Sequence, residues 1–256
     1  MRFSVCTSAL YPELTEHEAL ARACACGFSA YEFWFWDGID ADKTAAAQQK
    51  HGMTPAGLCM PKAPRLDLDP DATFLQGLSD TVALCKKLGC RGIIAQAGDD
   101  VPGVPREKQH QGLLEGLKLC TPMAEEAGIT VLLEPLNVKI DHEGYYLYAA
   151  QEAFDLIDAV GSPAVKVLYD IYHQHITEGV DIPFLQKHMD RIGHFHLAGF
   201  PGRHEPMMDD EIDTAGILRA IDESGYQGYV GLEYLPLMEP DESLRQTLSR
   251  LQSIFK

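Results

Sequence analysis

Four short apolar runs in the second half of the chain each carry a side chain able to bind a metal. They read Leu132-Leu133-Glu134-Pro135, Val167-Leu168-Tyr169-Asp170, His194-Phe195-His196-Leu197 and Gly231-Leu232-Glu233-Tyr234. Carboxylates are almost never fully buried unless they are paired or bound to a cation. Converging carboxylates repel one another, and a divalent cation between them removes that cost. Each group alone has a plainer alternative: Asp170 as a helix cap, a strand histidine as a hydrogen-bonded core residue. Four in succession favour a metal site, with Glu134, Asp170, His196 and Glu233 as its ligands. Three oxygen donors and one imidazole suit one Mg²⁺ or Mn²⁺ ion better than a thiolate-loving metal, with Co²⁺ or Zn²⁺ also compatible. His194 and His196 are two apart and share a face of their strand. His196 lies nearer the C-terminal end and is the expected ligand, with His194 behind it.

Two further residues lie near these runs. His173 falls just past Tyr169-Asp170-Ile171-Tyr172, where it is either a residue over the site or a surface loop histidine. Arg203 sits in the Pro/Gly-bounded stretch Gly199-Phe200-Pro201-Gly202-Arg203-His204-Glu205-Pro206. Its planar fork can hold a carboxylate in bidentate fashion. The alternative is a loop-ordering ion pair with Glu205 or Asp209.

Positioning these groups requires strands that end close together. β-prone apolar runs are read at Phe3–Thr7, Tyr31–Phe35, Pro55–Met60, Gly92–Gln96, Thr130–Leu136, Val165–Ile171, Gly193–Ala198 and Tyr229–Tyr234. Amphipathic helical segments follow them at Thr15–Gly27, Asp40–His51, Asp71–Leu88, Pro105–Ala127, Ala149–Val160, Ile182–Met189, Thr214–Ser224 and Asp241–Ile254. Thr15 with Glu18 makes a capping box, and glycines mark several helix stops. Continuous apolar strands suit a parallel sheet buried on both faces. Eight β-then-α units in about 250 residues predict a single (β/α)₈ barrel, with residues 1–256 as one domain and the polar strand ends forming its active face. An open doubly wound sheet would carry a Gly-rich phosphate loop after its first strand, and Ser8-Ala9-Leu10-Tyr11-Pro12 is not one.

The bulk numbers narrow the partners. A formal net charge of −17 and no Lys/Arg run oppose nucleic acid and anionic membranes. No apolar run approaches the roughly 20 residues that span a bilayer, and no signal-peptide pattern opens the chain. The seven cysteines form no CxxC pair, as expected of reduced thiols in a cytoplasmic protein. Cys24 and Cys26 read as packing residues rather than a redox pair. The expected partner is a small carbonyl substrate, and a homo-oligomer is left open.

The runs Leu133-Glu134-Pro135-Leu136-Asn137, Asp141-His142-Glu143-Gly144-Tyr145-Tyr146-Leu147, Leu168-Tyr169-Asp170-Ile171-Tyr172-His173, Gly193-His194-Phe195-His196, Pro201-Gly202-Arg203-His204-Glu205-Pro206 and Gly231-Leu232-Glu233-Tyr234 resemble the hydroxypyruvate isomerase family, within the xylose-isomerase-like barrel superfamily. The Pro-Gly-Arg-His-Glu-Pro string is the most specific of them. The resemblance implies that Glu134, Asp170, His196 and Glu233 match the family's metal positions, that Glu134 and Glu233 match its catalytic carboxylates, and that His173 and Arg203 match substrate contacts. The first half departs from the family pattern. Cys59-Met60-Pro61-Lys62-Ala63-Pro64 and Ala95-Gln96-Ala97-Gly98-Asp99-Asp100 stand where relatives carry Asn/Gly-rich and Asn- or His-bearing loops.

The implied activity is a metal-dependent aldose–ketose isomerisation through a cis-enediol, with hydroxypyruvate giving tartronate semialdehyde. Alternatives are an isomerase or C3-epimerase of a longer keto-sugar or 2-oxo-sugar acid, and an inosose dehydratase-like lyase. A barrel endonuclease is disfavoured by the net charge. Trp34 and Trp36 share a face with each other and Phe33 with Phe35, so one row can reach the barrel mouth; barrel-to-helix packing is the plainer expectation. A capped, acidic site with one arginine suits a carbonyl substrate of three to six carbons, rather than a polymer or a phosphorylated sugar.

Overall fold

The computed structural model describes residues 1–34, 36, 38–61, 72–208 and 210–256. Its strands are β1 (Phe3–Cys6), β2 (Ala30–Phe33), β3 (Thr54–Cys59), β4 (Gly92–Gln96), β5 (Thr130–Glu134), β6 (Val165–Asp170), β7 (Ile192–Leu197) and β8 (Val230–Leu232). Its helices are α1 (Thr7–Leu10), α2 (Glu16–Ala25), α3 (Ala41–His51), α4 (Ala72–Leu88), α5 (Arg106–Ala127), α6 (Ala150–Val160), α7 (Ile171–Thr177), α8 (Ile182–His188), α9 (Thr214–Glu223) and α10 (Pro240–Ser253). The strands are parallel and close into a barrel in chain order, with β8 paired to β1. This is the (β/α)₈ architecture expected from the alternation.

Local chemistry explains the boundaries. Glu18 accepts from the Thr15 N–H at 3.0 Å, the reciprocal half of the capping box that opens α2. β5 stops at Glu134 rather than Leu136, because Pro135 has no N–H to give the ladder. β8 is shorter than expected: the Leu235 N–H leaves the sheet and donates to the Arg203 carbonyl at 2.7 Å. β2 ends at Phe33, since the Trp34 N–H turns to the Ser8 hydroxyl at 2.9 Å. The expected strand end Phe35, Asp37, the loop residues Lys62–Pro64, the expected helix start Asp71 and the candidate ion-pair partner Asp209 lie outside the described residues.

The barrel interior divides into two kinds of surface. On one side Cys59, Ile94, Leu132 and Leu168 pack together. Side chains two apart on a strand share a face, so Leu132 carries Glu134 inward and Leu168 carries Asp170 inward. On the other side the interior holds buried polar groups: Ser4, Glu32 and His194. Register then sets Asp170 beside His196 and His196 beside Gly231. No helix among the described residues is long and apolar enough to cross a membrane. All seven cysteines are free. Cys24 and Cys26 donate separately to the carbonyls of His51 and Asp241, at 3.4 and 3.5 Å, as packing residues.

Candidate active site

Glu134, Asp170, His196 and Glu233 offer ligand atoms that all lie within 4.8 Å of one another, and all four side chains are buried. His196 Nδ1 points into the group, 3.0 Å from Glu134 Oε1, 3.5 Å from Glu233 Oε2 and 3.8 Å from Asp170 Oδ2. Three come from strands or their last residues, and Glu233 directly follows β8. Its N–H still donates to the Leu197 carbonyl at 3.2 Å, which holds it on the barrel rim.

The electrostatics show what the cluster lacks. Burial pushes Glu134 up to about 7, helped by Glu233 and Asp170 and opposed by His196. Burial likewise raises Asp170. Burial alone would depress His196, but Glu233, Glu32 and Glu134 outweigh it and hold the imidazole well above its usual range. Protons thus take the place of a positive centre. A divalent cation among three carboxylates and one imidazole supplies the same charge without protons, so the donor set fits a divalent metal ion.

A cavity of about 520 Å³ opens above the cluster. Glu134 and Glu233 form part of its lining, with His173 and Arg203 on the walls and Trp34 and Trp36 across from them. The tryptophan row therefore faces the site, against the plainer expectation of helix packing, while Phe33 is buried in the core. The Trp34 indole N–H donates to Glu233 Oε1, and the Arg203 guanidinium donates to Glu233 Oε2. Burial would raise Glu233, yet His196, Arg203 and Trp34 together hold it below its usual value. Arg203 lies 5.5 Å over the Tyr172 ring. Glu205, its expected alternative partner, instead accepts from the Leu237 N–H at 3.0 Å and the Ser243 hydroxyl at 2.7 Å.

His173 is not a surface loop residue. Asp170 accepts from the His173 N–H at 2.9 Å and so starts α7 directly at the end of β6, a helix not expected from the sequence. The Asn137 amide donates to His173 Nδ1 at 2.7 Å, which leaves the ring proton on Nε2. Burial and then the Arg203 charge keep the imidazole neutral, well below its usual pKa. Nε2 has no hydrogen-bond partner among the described residues and lies 3.7 Å from Asp170 Oδ2. It is a donor set at the cavity wall.

Residues 20–254 match the family model described as xylose isomerase-like TIM barrel. The chain is 30% identical to the hydroxypyruvate isomerase of Escherichia coli (strain K12), covering 96% of this chain and 97% of that protein. The chain belongs to the hydroxypyruvate isomerase family. A 2-oxo-tetronate isomerase of Cupriavidus necator is also 30% identical, over 92% of this chain and 93% of that one. A crystal structure titled AP endonuclease, family 2, from Brucella melitensis superposes with a TM-score of 0.90 at 27% identity, over 97% and 98% of the two chains. As a member of a family of isomerases, the chain is an enzyme of that class.

One buried carboxylate of the site went unread in the sequence. Glu32, on β2, accepts from His194 Nε2 at 2.7 Å and faces His196 Nε2 at 3.4 Å. Burial alone would raise it, but His194 and His196 hold it well below the usual carboxylate range. Ala30-Tyr31-Glu32-Phe33 carries the same mark as the other four runs, an acid inside apolar sequence, and that signal was available.

Proposed function

We propose that this enzyme interconverts a small 2-oxo-3-hydroxy acid and its 2-hydroxy-3-oxo isomer, with hydroxypyruvate and tartronate semialdehyde as the leading pair. The observation that carries the reading is a four-ligand acidic cluster lying beneath a cavity whose one Lys or Arg, among the described residues, is Arg203. Glu134, Asp170, His196 and Glu233 would hold one divalent ion, Mg²⁺ or Mn²⁺ before Co²⁺ or Zn²⁺. Such an ion supplies Lewis-acid stabilisation of negative charge on neighbouring carbonyl and hydroxyl oxygens.

The chain's own residues do the rest. A carboxylate of the Glu134/Glu233 pair takes the proton from C3 of hydroxypyruvate, giving a cis-enediolate. A proton then returns to C2 while the C3 hydroxyl proton passes to the C2 oxygen, so the product is an isomer with no change in atoms or electrons. The His173 Nε2–H donates to a substrate oxygen. The Arg203 guanidinium, fixed through Glu233, receives the carboxylate. The tryptophans close the cavity and keep water from the enediolate. A cavity of about 520 Å³ also admits a four-carbon acid, which agrees with a relative named 2-oxo-tetronate isomerase. A net charge of −17 opposes a nucleic-acid substrate. Reduced, unpaired thiols suit a cytoplasmic setting.

The test is a substrate panel on metal-replenished enzyme: hydroxypyruvate, tartronate semialdehyde, 2-oxo-tetronates and ketohexoses. The expected order places three- and four-carbon acids above neutral hexoses, with activity lost on chelation and in Glu134→Gln. A clear preference for a neutral ketohexose or a phosphorylated sugar, or full activity after chelation, would overturn the reading.

A further inference from the structure

The barrel interior beneath the ligand cluster contains a polar layer that the chemistry above does not use. Glu32 is 1% exposed and accepts from His194 Nε2 at 2.7 Å, with the Ser4 hydroxyl donating to the same oxygen at 3.3 Å. Its other oxygen, Oε1, and His196 Nε2 each lack a hydrogen bond among the described residues, and they face one another at 3.4 Å. Two unsatisfied buried polar atoms of complementary kind this close form a pair waiting to tighten.

Gly231 on β8 supports a built arrangement. A Cβ there would stand 1.9 Å from Glu32 Oε1 and 2.9 Å from His196 Cδ2. The strand gives up a side chain where the carboxylate and imidazole meet. Glu32, His194 and His196 stand close enough to hold an ion, yet Glu32 and His194 already satisfy each other by a direct hydrogen bond, and the unpartnered atoms that remain are one acceptor, Glu32 Oε1, and one imidazole nitrogen, His196 Nε2.

We infer that Glu32 is a positioning residue: it accepts the His196 Nε2–H, fixes the ring's tautomer and orientation, and so commits Nδ1 to the metal cluster on the opposite side. A neutral imidazole has one N–H and one lone pair. With the proton held on Nε2 by a carboxylate, the lone pair on Nδ1 faces Glu134, Asp170 and Glu233. Carboxylates placed behind metal-binding histidines orient the ring and raise its basicity, and their loss weakens binding about 10–100-fold. His194 and Ser4 anchor the carboxylate's second oxygen and keep the first aimed at His196. The inference rests on the metal reading of the cluster.

Two measurements test it on the full-length protein. Mn²⁺ titration by calorimetry should give one ion per chain, with Glu32→Gln weakening it roughly 10–100-fold. Nitrogen-15 NMR of the Mg²⁺-loaded wild type should show His196 protonated at Nε2 and bare at Nδ1, with that preference lost in Glu32→Gln. Circular dichroism establishes that the variant is folded. Wild-type binding with an unchanged Glu32→Gln affinity would overturn the role of Glu32 and leave the metal reading standing. Failure of the wild type to bind Mn²⁺ or Mg²⁺ would overturn both. Should Glu32→Gln not fold, the wild-type spectrum decides alone, and a His196 protonated at Nδ1 in the loaded protein refutes the assignment.

Discussion

Replacing Arg203 by Lys separates two roles that the structure gives one side chain. The guanidinium donates to Glu233 Oε2, and its side chain is only 14% exposed. Arg203 also lines the cavity, where a substrate carboxylate would meet its planar fork. Lysine keeps the charge and loses the fork. A hydrogen bond involving a charged group contributes about 1.5–3 kcal/mol, so losing one of two such bonds to a carboxylate lowers kcat/KM roughly 10- to 150-fold. Backbone strain does not confound the comparison. Arg203 has φ 56°, and lysine at that position meets the same strain as arginine.

The substitution also loosens Glu233, and that effect falls on every substrate. The informative quantity is therefore a ratio of ratios. Initial rates of wild type and Arg203→Lys are measured with a four-carbon 2-oxo acid and with its neutral ketose counterpart, erythrulose. If erythrulose is not turned over, its competitive inhibition constant replaces kcat/KM. The acid should lose at least about tenfold more than the neutral compound, mainly through KM. Equal losses would mean that Arg203 only holds Glu233 and its loop, and the carboxylate-clamp reasoning would fail.

Glu205 is fully buried and ties the Arg203 loop to α10 through the Leu237 N–H and the Ser243 hydroxyl. Glu205→Ala leaves the Leu237 N–H without its acceptor and the Ser243 hydroxyl with only the Tyr234 hydroxyl, and should cost about 1–3 kcal/mol, seen as a melting temperature lower by roughly 3–9 °C; an unchanged melt would show that the tie carries no stability. Glu16 is pushed by burial to about 8, against the opposing bond from the Thr7 hydroxyl. Its folded value lies above the unfolded one, so its contribution is fully present below about pH 4.3 and is lost as pH rises through about 8. Urea midpoints at pH 5 and pH 8.5 should therefore show Glu16→Gln losing less stability than the wild type over that interval, and parallel losses would refute the shift.

Much of the candidate site was readable because burial is expensive for charge. An acid or imidazole inside an apolar strand run marks Glu134, Asp170, His196 and Glu233, and the structure brings all four together. His173 falls near the site by its distance from Asp170, with its setting left open between the barrel mouth and a surface loop. The N-cap relation between Asp170 and the His173 N–H lies in the sequence as an Asp three residues ahead of the histidine. That spacing also occurs in loops, so tertiary packing decided it. Glu32 carried the same signature as the four ligands, yet its strand has none of the motifs that drew notice to the second half. The tryptophans were harder. Two-residue alternation holds only within a strand, and β2 ends at Phe33, one residue before Trp34. Which way Trp34 turns depends on Glu233, some two hundred positions away in the chain.

That contact bears on how specificity is divided in the molecule. The candidate ligands stand at the ends of β5 to β8, while much of the facing wall comes from the first half: Trp34, Trp36, Cys59, Met60, Pro61 and Gln96. Among the described residues of that wall, only the two indoles and Gln96 offer conventional hydrogen-bonding side chains. A long polyol would leave several hydroxyls against apolar surface, at about 1–3 kcal/mol for each one unsatisfied. On the proposed reading a three- or four-carbon acid would leave fewer, because its carboxylate would meet Arg203 and its reacting oxygens would lie over the cluster. On the same reading the first-half wall would face the non-reacting end of the substrate. Trp34 couples the two halves directly: one face of its strand-end loop shapes the cavity, while its N–H holds the Glu233 carboxylate. Widening the wall at this residue would change the Glu233 carboxylate together with the pocket, whereas changes at Met60 or Gln96 leave Glu233's donors in place.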